Sequence, residues 1–287
     1  MLRTKFRMTI VLLTLFLFLS GCTLKNAYKQ LDWVLAGMIE DYVSLSESQE
    51  ADVDARIASF LKWHQFTQLK VYAEDLQQVQ QYTSLGLDDA SADEIFQRFM
   101  RSWDTLKEHV APEMADLLLT LNDKQQKQMF EKLAEQNQEL EDEINEYTQE
   151  ERYERAGDKM IENFERWLGE INDQQKEILR SWPPKFKPLD DDRMAFRLKW
   201  QAALRNVLQS PLSKAEKREQ LISLIKNPDT YQSEEHKQKL VYNSKQLKAL
   251  ILSFDQTLTQ QQRGFLAGRL DHIITTFQEL AAEKPSE

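Results

Sequence analysis

The residues able to do covalent chemistry are few. Cys22 is the only cysteine in the 287-residue chain, so no disulfide can form within it. The four histidines, His64, His109, His236 and His272, are far apart and none belongs to an HExxH pattern, so no metal site is expected. Neither a GxSxG nucleophile elbow nor a phosphate-cradling glycine loop occurs. Carboxylates number 47, and in such a chain pairs with glycosidase-like placement arise by chance, so no catalytic residue is assigned. The Cys22 thiol is the one group whose position points to a covalent fate.

That position closes a three-part leader. Arg3, Lys5 and Arg7 form a basic start, Met8 to Leu19 an uncharged apolar run, and Leu19-Ser20-Gly21-Cys22 follows. These blocks mark a secretory signal, and the apolar run is shorter than the roughly 20 residues that a membrane span needs. The tetrapeptide Leu19, Ser20, Gly21, Cys22 resembles the lipobox of bacterial lipoproteins. The resemblance implies a diacylglycerol thioether on Cys22, cleavage before it, a signal over 1–21 and a mature protein over 22–287. No cofactor is expected beyond that covalent lipid. Thr23 stands where an Asp would favour inner-membrane retention, so the resemblance places the protein in the inner leaflet of the outer membrane, facing the periplasm. Several acyl chains hold a protein on a bilayer where one does so only marginally.

Composition narrows the body. The net charge of −10 becomes −13 once the three basic leader residues are removed, which opposes nucleic acid and opposes a body lying flat on anionic lipid. The membrane is therefore expected to be met through the lipid alone. Seven Gly, seven Pro and no convincing alternation of β-branched residues predict an all-α protein without a sheet, a bundle or irregular array of about 8–10 helices.

The helices must start somewhere, and the starts are readable. An apolar residue, a Ser/Thr/Asn and a Gln/Glu three residues further on occur at Leu45-Ser46…Gln49, Leu121-Asn122…Gln125 and Ile171-Asn172…Gln175. They recur at Leu212-Ser213…Glu216 and Leu258-Thr259…Gln262. This is a capping box with an apolar residue before it, contributing about 1 kcal/mol each. The intervals of 76, 50, 41 and 46 residues are too irregular for a solenoid, so the copies predict separately started helices and nothing more.

Helical periodicity is read over Asn26–Leu45, from Ser46 to about Tyr82, and from Ser91 past Trp103, with Pro112 at a kink or a new first turn. Asp123–Leu168 reads as helix with a thinly apolar, acidic stretch whose charges form a solvated face. Trp182-Pro183-Pro184 breaks the chain, and a subdivision of the mature domain is placed near 182–192. Further helices are expected over Arg193–Gln209, Lys214–Lys226, Ser233–Phe254 and Gln260–Ala282. The six tryptophans are assigned mostly to the core. Trp182, where a helix must stop before proline, is the one expected at the surface and a candidate binding residue.

Two family resemblances attach to these residues. Leu258-Thr259-Gln-Gln-Gln262 resembles the LTxxQ motif of the Spy and CpxP periplasmic chaperones, small helical cradles that shield unfolded clients. The chain departs from them in length, acidity and anchor. Leu31-Asp-Trp33, Asp41-Tyr42-Val43, Leu117–Gln125, Arg166–Gln175, Trp200-Gln201 and Leu258–Arg263 are similar to an uncharacterised family of proteobacterial lipoproteins, domain of unknown function 6279. It implies a fold and a location, and no activity. The expectation is a non-enzymatic envelope lipoprotein that binds protein or peptide clients, in quality control or as an adaptor. The alternative is an envelope enzyme such as a peptidoglycan hydrolase, with carboxylates brought together from distant helices.

Overall fold

The computed structural model describes residues 21–283, with side chains described from Leu24 onward. Among these residues every regular element is helical, and no strand occurs. The chain runs α1 (Gly21–Tyr28), α2 (Leu31–Glu40), α3 (Glu47–Trp63), a π-helical turn (His64–Gln68) and α4 (Leu69–Leu85). It continues with α5 (Asp89–Leu118), α6 (Asp123–Glu146), α7 (Gln149–Leu168) and α8 (Asp173–Ser181). After a 3₁₀ turn (Pro183–Lys185) come α9 (Asp190–Gln209), α10 (Lys214–Lys226), a second 3₁₀ turn (Pro228–Tyr231), α11 (Glu234–Asp255) and α12 (Gln260–Ala282).

Three predicted runs are divided, so there are more helical segments than expected. The first breaks at Lys29-Gln30, and it begins at Gly21 rather than Asn26. The second is interrupted by the π turn. The acidic run breaks at Tyr147, where Thr148 starts α7 with a capping box to Glu151. Two starts fall earlier than expected: α5 is capped by Asp88, whose carboxylate accepts from the Ser91 N–H at 2.8 Å, so Ser91 lies inside the first turn, and α9 begins at Asp190 rather than Arg193. Pro112 opens no new helix and sits within α5. The fully buried Ala111 and Ala115 beside it leave room for α10 to pack along this half of α5.

Burial of apolar stripes holds the array together, each Leu or Phe contributing about 1.5–3 kcal/mol. The most extensive contact is α12 against α4, where Leu270, Ile273, Ile274, Phe277 and Leu280 meet Leu69 and Ala73. Leu24, Tyr28 and Leu31 join the same cluster, so α1 is docked on the C-terminal helix. A second cluster unites α5, α6, α9 and α10 around Leu118, Phe130, Leu204 and Leu221. A third unites α7, α8 and α11 around Ile161, Leu179 and Phe254. The 182–192 stretch is pinned to α11 by a reciprocal pair: the Lys187 N–H donates to Asn243 Oδ1 and Asn243 Nδ2 donates to the Lys187 carbonyl, both at 2.8 Å.

Candidate functional site

All five predicted capping boxes form. Four of them do more than start helices, because their glutamines pair. Gln49 Oε1 accepts from its own cap N–H at Ser46 (3.0 Å), while Gln49 Nε2 donates to Gln125 Oε1 (3.2 Å) and to the Thr120 carbonyl (3.1 Å). Gln125 reciprocates toward Gln49 Oε1 (2.7 Å) and the Ser44 carbonyl (3.0 Å). Gln175 and Gln262 repeat the arrangement: Gln175 Nε2 reaches Gln262 Oε1 (3.0 Å) and the Thr257 carbonyl (3.1 Å). Gln262 Nε2 reaches Gln175 Oε1 (2.8 Å) and the Glu170 carbonyl (3.0 Å). In every case the accepting carbonyl lies two residues before the partner's cap. The copies do start separate helices, as expected, but four of them also form two symmetric clasps between helix beginnings, α3 with α6 and α8 with α12.

The chemistry explains the residue choice. A carboxylate can complete a capping box but has no proton to donate, whereas an amide accepts with one atom and donates with the other. The two boxes closed by glutamate, Thr148…Glu151 and Ser213…Glu216, are exposed and unpaired with another box.

Among the described residues no group of three or more His, Cys, Asp or Glu could hold a metal. His64 accepts from, or donates to, the Tyr28 hydroxyl at 3.0 Å, His109 stacks on Trp63 with ring centres 3.7 Å apart, and His236 is buried edge-on to Phe196. Carboxyls with displaced pKa values move down: an Arg218 hydrogen bond lowers Asp116, Tyr82 and Arg98 lower Glu94, and Lys25 lowers Glu283. A hydrolytic general acid needs the opposite displacement.

His64 has a different consequence. It opens the π turn, a geometry without a sequence signature and one often found at functional positions. Burial pushes its imidazole down to about 4. The folded protein therefore binds this proton less readily than the unfolded chain does. The stabilisation is fully present above about pH 6.5 and is lost as pH falls toward 4, up to about 3 kcal/mol in all. Denaturant unfolding at pH 7 and pH 4.5 is expected to show this loss in the wild type and a smaller one in His64→Leu.

A second polar centre fixes the relation of α5 to α11. Gly86 ends α4 at φ +95°, a conformation that favours glycine, and the next N–H, of Leu87, donates to Asp255 Oδ2 at 2.9 Å. Arg263 grips the buried Asp255 from the other side at 2.9 and 3.1 Å and also donates to the Thr83 carbonyl. The α4–α5 corner is thereby locked onto the α11–α12 corner. Lys248 of α11 then bridges Asp89 (2.8 Å) and Asp93 (2.9 Å) of α5.

Apolar surface borders this seam. Phe96, Phe99 and Trp103 are 53%, 53% and 42% exposed, and their spacing continues the helical line of Asp89 and Asp93. On α11, Leu240, Leu247 and Ile251 are exposed at i, i+7 and i+11, flanking Lys248. Exposed apolar stripes on two helices joined by Lys248 are the kind of surface that marks interaction sites.

The predicted site residues fare differently. Leu19 and Ser20 lie outside the described residues, and Gly21 and Cys22 fall in α1. Trp182 is 8% exposed, against expectation. The Pro183–Lys185 turn folds its ring into the α7–α8–α11 core, under Lys185 Nζ at 3.9 Å, and leaves no binding surface there. The core assignment fails for Trp103 and for Trp33, which is 76% exposed. The α5 and α11 stripes were missed because exposed and buried apolar residues have the same helical period; only packing separates them.

The comparisons extend the sequence reading. The model of a family of unknown function, DUF6279, matches residues 41–237. The chain belongs to that family. The match includes Gln49, Gln125, Gln175 and the α5 stripe, whereas Leu31–Trp33, Gln262 and the exposed residues of α11 lie beyond it. No curated protein and no solved structure matches the chain.

Proposed function

We propose that this DUF6279 protein is an envelope lipoprotein that works without catalysis, by holding unfolded, apolar polypeptide segments along the α5–α11 seam. The observation that carries the reading is the pair of exposed stripes, aromatic on α5 and aliphatic on α11, beside a seam held by Leu87–Asp255 and Lys248. Aromatic surface gives large contact area with few torsions to freeze, which suits sequence-tolerant binding. The net charge, −10 for the whole chain and −13 without the leader, adds a long-range preference for cationic segments. The likeness of Leu258-Thr259…Gln262 to a periplasmic chaperone motif points the same way.

The full-length protein is expected to suppress aggregation of reduced, carboxamidomethylated lysozyme, a cationic chain that cannot refold. Unchanged aggregation at equimolar protein would overturn the reading. The location rests on the leader and Cys22, which together support an anchor in the inner leaflet of the outer membrane. Radiolabelled palmitate is expected to enter the wild type but not Cys22→Ser, which should accumulate as the longer precursor. Equal labelling of both would refute the anchor. Among the described residues no helix is long and apolar enough to cross a membrane.

A further inference from the structure

Trp33 is the second most exposed large apolar side chain among the described residues, at 76%, and it stands eleven positions after Cys22. The backbone between them is helical on either side of a one-turn break at Lys29-Gln30. The Lys29 N–H donates to the Lys25 carbonyl at 3.1 Å, and the Val34 N–H donates to the Gln30 carbonyl at 3.2 Å, with a single tighter turn between. On such a path positions 22, 26, 29 and 33 recur at i, i+4, i+7 and i+11 and so share one face. The described side chains of that face, Asn26, Lys29 and Trp33, are exposed. The opposite face carries Leu24, Tyr28 and Leu31, all buried against α4 and α12. One turn beyond Trp33, a side chain at Gly37 would meet nothing within 4 Å, so the open face continues along α2.

We infer that this face of α1–α2 lies along the leaflet that receives the Cys22 lipid, with the Trp33 indole seated at the headgroup level as a second, non-covalent contact. The inference rests on the anchor reading above. Two physical points favour a lipid surface over a protein partner. Eleven helical residues span only about 16 Å, so with the run lying flat the indole stays close to the attachment point and to the interface. Tryptophan is also enriched at that level, its amphipathic ring seated among the headgroups. Lys25 and Lys29 are bound to Glu283 at 2.7 and 3.1 Å, which holds the run against α12 rather than free to swing away. The body is thus oriented on the membrane, not merely tethered to it.

The test uses the full-length protein purified from membranes and reconstituted into vesicles whose lipids carry bromine near the headgroup end of the chains. Bromine quenches tryptophan emission only at short range. The wild type is expected to float with the vesicles and to be quenched, and Trp33→Phe to float equally while losing most of the quenching. Equal quenching in the two proteins, or none in either, overturns the inference while leaving the anchor intact. A protein that does not float overturns both. A blue shift of Trp33 emission that grows with protein concentration and needs no lipid would assign the face to a second copy of the chain, and would equally overturn it.

Discussion

Gln175→Glu is expected to lower the thermal unfolding midpoint by roughly 6–12 °C at pH 7, whereas Glu216→Gln should leave it unchanged. The two substitutions exchange the same groups in the same kind of capping box, so helix propensity cannot separate them. Gln175 is 1% exposed, and its amide nitrogen serves both the Gln262 oxygen and the Thr257 carbonyl. A carboxylate there leaves two acceptors facing a buried charge, at a cost of about 3 kcal/mol. In a domain of this size each kilocalorie moves the midpoint by about 2–4 °C. Glu216 lies in the open, and its carboxylate bonds only within its own box. The sign of the pH effect offers a further check. The introduced carboxyl should have a folded pKa raised above its unfolded value of about 4.3, so the deficit should shrink as the pH is lowered and the protonated group regains a donor. Differential scanning calorimetry of the three proteins at pH 7 and pH 5 measures both effects.

The second large effect concerns binding. Replacing Phe96, Phe99 and Trp103 together by serine should weaken the hold on unfolded lysozyme by something of the order of 100-fold, taking about 1 kcal/mol for each aromatic. The fold should survive, because these side chains are about half exposed and the packed side of α5 is built from other residues. Arg98 of that side pairs with Asp75 at 2.8 Å, and Phe60 and Trp63 lie against His109. Leu198→Ser on α9 is the matched control, equally exposed at 50% and outside both stripes. Fluorescence anisotropy of labelled unfolded lysozyme gives the two dissociation constants directly, and circular dichroism confirms that helix content is kept.

Much of the fold was legible because helix starts and apolar periodicity are local properties. Ser213, Asn122 and Thr259 announce their helices through the next three residues alone, and α10 and α12 begin and end where the pattern places them. The pairing of Gln49 with Gln125 was not legible, since the repeated motif says what each glutamine does for its own cap and nothing about a neighbour 76 positions away. One local hint existed: the paired boxes close with Gln and the unpaired one found in the sequence closes with Glu. The π turn at His64 had no signal, because an extra residue in a helix shifts the apolar stripe by less than its own width. Trp182 misled for a related reason. A Pro-Pro break says that the helix ends, but whether the last ring turns inward depends on the cluster around Phe254. The apolar seam was invisible for the deepest reason. Phe99 and Leu118 lie on one helix and are both large apolar residues, yet only Leu118 is covered.

A photo-crosslinking amino acid placed at position 99, with position 198 as the comparison, in the full-length protein mixed with unfolded lysozyme tests client binding on α5 most directly. Crosslinks are expected from position 99 and not from 198, competed away by unlabelled unfolded lysozyme and absent with the native form. Equal crosslinking from both positions, or none from 99, would contradict that binding.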